Sequence, residues 1–187
     1  MSKLAVSILS TLLLLVMPLA QAQDYTVARW QWLKNTYWYV PKNNLPTLVY
    51  SELLNKVKWI NDQTVFYISD YKNGYFWGKA VVQLSKAEAK CMAMHGSVTP
   101  EGHVLLAFTE LNASSTGEVT RGTGVMLEKA GAWVMENQMI SGSSSAQVSH
   151  WANMVQTDTS KPSWEALPGV NMSVPIFLGQ CPAGPTL

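Results

Sequence analysis

The chain has 187 residues, with 13 basic and 12 acidic side chains and a formal net charge of +1. Apolar residues make up 48% and charged ones 13%, enough for one packed core and too apolar for a disordered chain. Arg29 and Arg121 are the only arginines and no lysines cluster, so the electrostatic footprint of a nucleic-acid or anionic-membrane binder is missing and neither partner is expected.

Residues 1–22 read as an export signal: Lys3, an apolar run from Leu4 to Met17, and a small-x-small site at Ala20-Gln21-Ala22, with cleavage before Gln23. The run is too short to cross a hydrocarbon core of ~30 Å as a mature anchor, and no later stretch matches it, so no membrane span is expected. Its removal takes away Lys3 and leaves basic and acidic residues equal in number. The destination is secreted or periplasmic, and residues 23–187 form a single domain.

A first strand is expected over Thr36 to Val40, stopped by Pro41. The next segment, Pro46 to Lys58, places Val49, Leu53 and Val57 on one helical stripe with Pro46 in the first turn, and predicts a short helix. Three turns then recur at Lys72-Asn73-Gly74, Pro100-Glu101-Gly102 and Lys129-Ala130-Gly131, each between strand-like runs. A type I turn closed by a left-handed Gly fits all three, and a two-residue type I′ turn is the alternative at Asn73-Gly74. Strands extend from these turns over 64–71, 75–83, 90–98, 103–111, 119–128 and 132–140, and another follows over 146–156. Eight short strands in a meander are best relieved of exposed edges by closure, so the expected fold is mainly β, an eight-stranded antiparallel up-and-down barrel. An open sheet or a two-sheet sandwich is the alternative. The strand number, the meander and the early Trp38 resemble the plan of the calycin-type barrels, the avidin and lipocalin group. Trp38 is preceded by Thr36-Tyr37 rather than by the Gly of a lipocalin Gly-x-Trp box, so that calycin-like likeness concerns plan alone and carries over no ligand.

Cys91 and Cys181 are the only cysteines, and in an exported chain a single long-range disulfide is expected. It would tether the proline-rich tail from Lys161 to Leu187, read as irregular chain against the outer wall. A three-residue turn at Pro100 to Gly102 puts Met92, Met94, Gly96, Val98, Val104, Leu106 and Phe108 inside and aims Cys91, His95 and His103 outward. The histidines are then solvated surface groups, and no metal or other cofactor is expected.

The same turn logic at Lys129 to Gly131 sets Leu127 opposite Trp133 and Thr123 opposite Asn137. A four-residue loop from Gly142 to Ser145 sets Asn137 opposite His150. Thr123, Asn137 and His150 would then form a polar row inside a Trp/Met-rich wall. Such a row either satisfies itself and fixes register, or orients a small molecule in the barrel. With Trp38 and Trp133 it defines the candidate ligand-binding set.

No metal-ligand spacing, phosphate loop or Gly-x-Ser-x-Gly elbow is present, so catalysis is not the first expectation. The leading function is an exported soluble protein binding a small apolar or aromatic ligand in the barrel. Two alternatives are a protein-binding or inhibitor module using the segment from Trp30 to Trp59, and a barrel cyclase or isomerase. An outward Trp151 would suit pairing of two barrels into a homodimer.

Overall fold

The computed structural model describes residues 29–41, 46–84, 87–111, 119–142 and 145–181, so the segment read as a signal lies outside the described residues. After a 3-10 turn at Gln31–Leu33 come β1 (Thr36–Tyr39), β2 (Thr47–Ser51), β3 (Lys56–Ile60), β4 (Asp62–Lys72), β5 (Tyr75–Leu84), β6 (Lys90–Val98), β7 (His103–Glu110), β8 (Val119–Lys129), β9 (Ala132–Gly142) and β10 (Ala146–Thr157). Two short helices follow, α1 (Pro162–Glu165) and α2 (Val174–Gly179). Strands β4 to β10 pair in sequence order, and β1 bridges β10 to β4, closing an eight-stranded antiparallel up-and-down barrel. No helix among the described residues is long and apolar enough to cross a membrane.

The remaining two strands replace the expected helix. Thr47–Ser51 and Lys56–Ile60 form a hairpin that attaches to the first residues of β10, with Val148 opposite Val49. The stripe Val49, Leu53, Val57 also fits a strand-turn-strand, and the β-branched and aromatic content of Thr47, Val49 and Tyr50 favours the pleat once β10 offers an unpaired edge. The hairpin leaves a seam: β10 is paired by β2 over Ala146 to Ser149 and by β1 over Val155 to Thr157, with no strand partner on that side between them among the described residues. Gln63 repairs the adjoining backbone, donating from Nε2 to the Val40 and Pro168 carbonyls at 3.1 and 2.7 Å and accepting from the Val40 and Thr64 amides.

Two of the three turns are tighter than expected. Lys72 pairs with Tyr75 and Lys129 with Ala132, and φ is positive at Asn73 (52°), Gly74 (85°), Ala130 (51°) and Gly131 (75°), as a type I′ turn requires. The alternative at Asn73-Gly74 is therefore the one adopted. At 129–131 an Ala takes the left-handed position that had been reserved for Gly, which slides β8 by one residue and turns it over. Met126, Gly124 and Gly122 face inward, and Thr123, Val125 and Leu127 face outward. Burial explains the choice, because this face sinks Met126 to 4% exposure opposite Met135. The third turn keeps its three residues, with the Gly102 amide bonded to the Thr99 carbonyl, and the inward set of β6 and β7 is as expected.

The tail is partly helical rather than irregular. Ser173 accepts from the Ile176 amide to cap α2, whose Val174, Phe177 and Leu178 bury against Val65 and Val81 on the outer face of β4 and β5. Cys91 and Cys181 are bonded, with Cα atoms 5.5 Å apart across a separation of 90 residues. The tether and the outward aim of Cys91 agree with the sequence reading.

Candidate functional site

The two ends of the barrel differ in content. At the end carrying the type I′ turns, the N-terminal segment folds inward: Trp30, Leu33 and Trp38 are 1%, 0% and 0% exposed, and Trp32 and Trp133 pack against them. Trp133 lies 5.2 Å from both Trp30 and Trp32, and Trp32 lies 6.1 Å from Trp38. Each buried indole needs a polar partner. Trp30 donates to the Thr99 carbonyl and Trp38 to Thr36 Oγ1, both at 2.9 Å. Gly102 completes the plug, since a Cβ there would stand 3.2 Å from the Trp30 ring.

Above the plug sit Met126, Met135, Ala152 and Met154, and among them Asn137 at 0% exposure. Asn137 donates from Nδ2 to the Met135 carbonyl at 3.3 Å, and its Oδ1 has no hydrogen-bond partner. Oδ1 rests against Gly124, where any Cβ would meet it at 2.2 Å, so the amide occupies space that only a Gly on β8 leaves open.

At the opposite end the barrel holds a cavity of about 250 Å³. Phe66, Phe108, Met92 and Met139 line it with Val82, Leu84 and Val148, and the Phe66 and Phe108 rings meet at 5.3 Å. Thr120 and Ser141 add hydroxyls from β8 and β9, and Thr47, Thr64 and His150 form a polar wall beside the seam. Behind them Asp62, whose side chain is 1% exposed, accepts from Thr47 Oγ1 at 3.2 Å and from Thr64 Oγ1 at 3.0 Å. His150 Nε2 stands 3.2 Å from Asp62 Oδ2, within ion-pair distance yet off the line of a hydrogen bond. Burial pushes the His150 pKa below its ordinary value; Asp62 pulls it the other way, and burial wins. A neutral imidazole therefore faces the cavity near neutral pH. Lys90 and Glu110, 3.6 Å apart and partly exposed, line the cavity from the facing strands.

Of the residues singled out from sequence, His150 alone lines this cavity. Trp38 and Trp133 belong to the plug. Thr123 is a correction: the tight turn at Ala130-Gly131 sends it to the outer face, where it is exposed opposite Gln138, and Gly124 takes its place opposite Asn137. Asn137 and His150 share the inward face, but the β9–β10 pairing is offset by two residues from the expected one, so His150 opposes Met139 and Asn137 opposes Ala152. The polar row does not form, and Asn137 lies one layer below the cavity. His95 and His103 are exposed on the outer wall, and no group of His, Cys, Asp and Glu among the described residues could hold a metal.

Sequence reasoning missed Asp62, Thr47, Thr64, Phe66 and Met139 as site residues. The alternation Asp62, Thr64, Phe66, Ile68 runs along one face of β4, and reading the strand from Asp62 rather than from Thr64 would have placed a carboxylate inside the barrel. Thr47 was hidden by the helix assignment. Comparison with known proteins gives no match, whether to a family model, a curated protein or a solved structure.

Proposed function

We propose that this protein is an exported, soluble binding protein that carries a small, mainly apolar or aromatic molecule in the open end of its barrel. The observation that carries the reading is the cavity: aromatic, aliphatic and thioether side chains converge on about 250 Å³, with a small number of polar groups set among them. That combination of apolar lining and few placed polar groups is the usual form of a small-molecule site. An engineered apolar cavity of ~150 Å³ takes up benzene, so this one has room for roughly ten non-hydrogen atoms. The disulfide and the signal-like first 22 residues support a secreted or periplasmic location. Native mass spectrometry of protein purified from its own host tests the reading: a retained molecule of about that size is expected. Spectra showing only the bare chain, together with no uptake of added aromatic probes, would refute it.

One observation favours a second reading, a protein-binding module. The β2–β3 hairpin exposes Trp59 at 65% and Leu53 at 89%, so this end of the Trp30 to Trp59 segment is free for contact whereas Trp30 and Trp38 are not. Under that reading the host-purified protein elutes as a complex that Trp59→Ser disperses.

A further inference from the structure

We propose that the cavity selects a small apolar or aromatic molecule bearing a hydrogen-bond donor, an ammonium group above all, and rejects carboxylates. The inference rests on the binding reading above and concerns what the polar wall can accept.

An ionised Asp62 is an acceptor only. Thr47 and Thr64 each own one hydroxyl proton, and both hydroxyls donate to Asp62, at 3.2 and 3.0 Å. Nε2 of His150 lies 3.2 Å from Asp62 Oδ2. Nε2 lies off the line of a hydrogen bond to that oxygen, so the ring leaves the remaining lone pairs of Asp62 open. Both hydroxyl protons on this wall are thus directed at Asp62. What these two threonines offer a ligand beside the buried carboxylate is lone pairs, while the donors of the lining, Lys90, Thr120 and Ser141, stand on other strands.

The charge points the same way. The Asp62 side chain is 1% exposed, and among the described residues no Lys or Arg lies within ion-pair distance of it. Lys90 and Glu110 on the facing strands pair with one another, so their charges cancel and leave Asp62 unbalanced. A ligand carboxylate would bring further acceptors and a second negative charge, leaving lone pairs unmatched in a desolvated site. An alcohol offers one donor. An ammonium offers three and neutralises the wall, with charge-assisted hydrogen bonds that are shorter and stronger than neutral ones.

The test uses three probes of one shape, 1-naphthylmethylamine, 1-naphthalenemethanol and 1-naphthoate, titrated calorimetrically into the purified protein at pH 7.5. The expected order is amine, alcohol, carboxylate, with the amine at least tenfold tighter than the carboxylate. In Asp62→Asn that ratio should fall to within about twofold while the alcohol still binds. Should all three probes fail to bind, the cavity reading itself falls. Should they bind with equal affinity, or the carboxylate bind best, the cavity reading stands and the selectivity proposal is overturned. If Asp62→Asn loses its cooperative melt, Thr64→Val, which frees one lone-pair site on Asp62 and removes one hydroxyl, is used instead: a change in the amine-to-carboxylate ratio supports the proposal, and an unchanged ratio overturns it.

Discussion

The closed end and the open end of this barrel are built from the same strands, yet one is solid and the other hollow. At the closed end four indoles pack in tilted and edge-on contacts, neighbouring rings 5.2 to 6.1 Å apart, each tied to the strands by burial or by an N–H bond. The open end has Phe, Met and Val side chains that reach inward without filling the space, and its polar groups are held by one another. Tryptophan density is therefore a poor guide to a binding site here. The largest side chains serve closure, as large residues commonly do in small barrels, and the cavity lies where they are absent.

If that division holds, substitutions at the closed end should cost stability and leave uptake of small molecules alone. The largest effect is expected for Trp38→Ala, which empties a fully buried site and should lower stability by about 3 to 5 kcal/mol. Chemical denaturation would show it, and 1-naphthalenemethanol affinity measured well below the midpoint should stay within twofold. Replacing both Cys91 and Cys181 by Ser reopens a loop of 90 residues and should cost about 2 to 5 kcal/mol, again without changing the cavity.

A smaller change sharpens the boundary between the two regions. Asn137→Leu removes a buried oxygen that has no partner and adds apolar contact beside Gly124, so stability should rise by about 1 kcal/mol. Probe affinity should not move, because Asn137 lies beneath the cavity. A large loss of affinity would push the boundary down a layer and return Asn137 to the site.

The smallest effect belongs to the open end and depends on pH. The folded pKa of His150 is depressed, so between that value and about 6.5, where an unfolded His titrates, the unfolded chain holds more protons. The contribution is fully present above about pH 6.5 and is lost as pH falls toward the folded value. Thermal melts of wild type and His150→Gln should diverge on acidification, the wild type losing the more. Parallel profiles would show that His150 is not buried as a neutral group.

How much of this was legible in the sequence follows from local signals. Turn residues and alternating strands located all eight barrel strands to within about two residues, and the outward aim of Cys91 anticipated the disulfide. What escaped was register. Whether Ala130 accepts a left-handed conformation decides the face of all of β8, and Ala130 itself does not announce it, since the deciding factor is burial of Met126 opposite Met135 inside the closed barrel. The hairpin at 47–60 escaped for a related reason: its side-chain stripe fits helix and strand alike, and the edge of β10 that receives it lies about 100 residues further along. Asp62 was missed because the strand was begun at Thr64, and its approach to His150 comes only with closure of the barrel.

The division of the barrel can be tested without altering the protein, by 13C-methyl methionine NMR during titration with 1-naphthalenemethanol. Met92 and Met139 line the cavity, whereas Met126 and Met135 lie below it toward the tryptophans. The account predicts saturable shifts for the Met92 and Met139 methyls and none of comparable size for Met126 and Met135. Shifts confined to Met126 and Met135, or no saturable shift at any of the four, would contradict it.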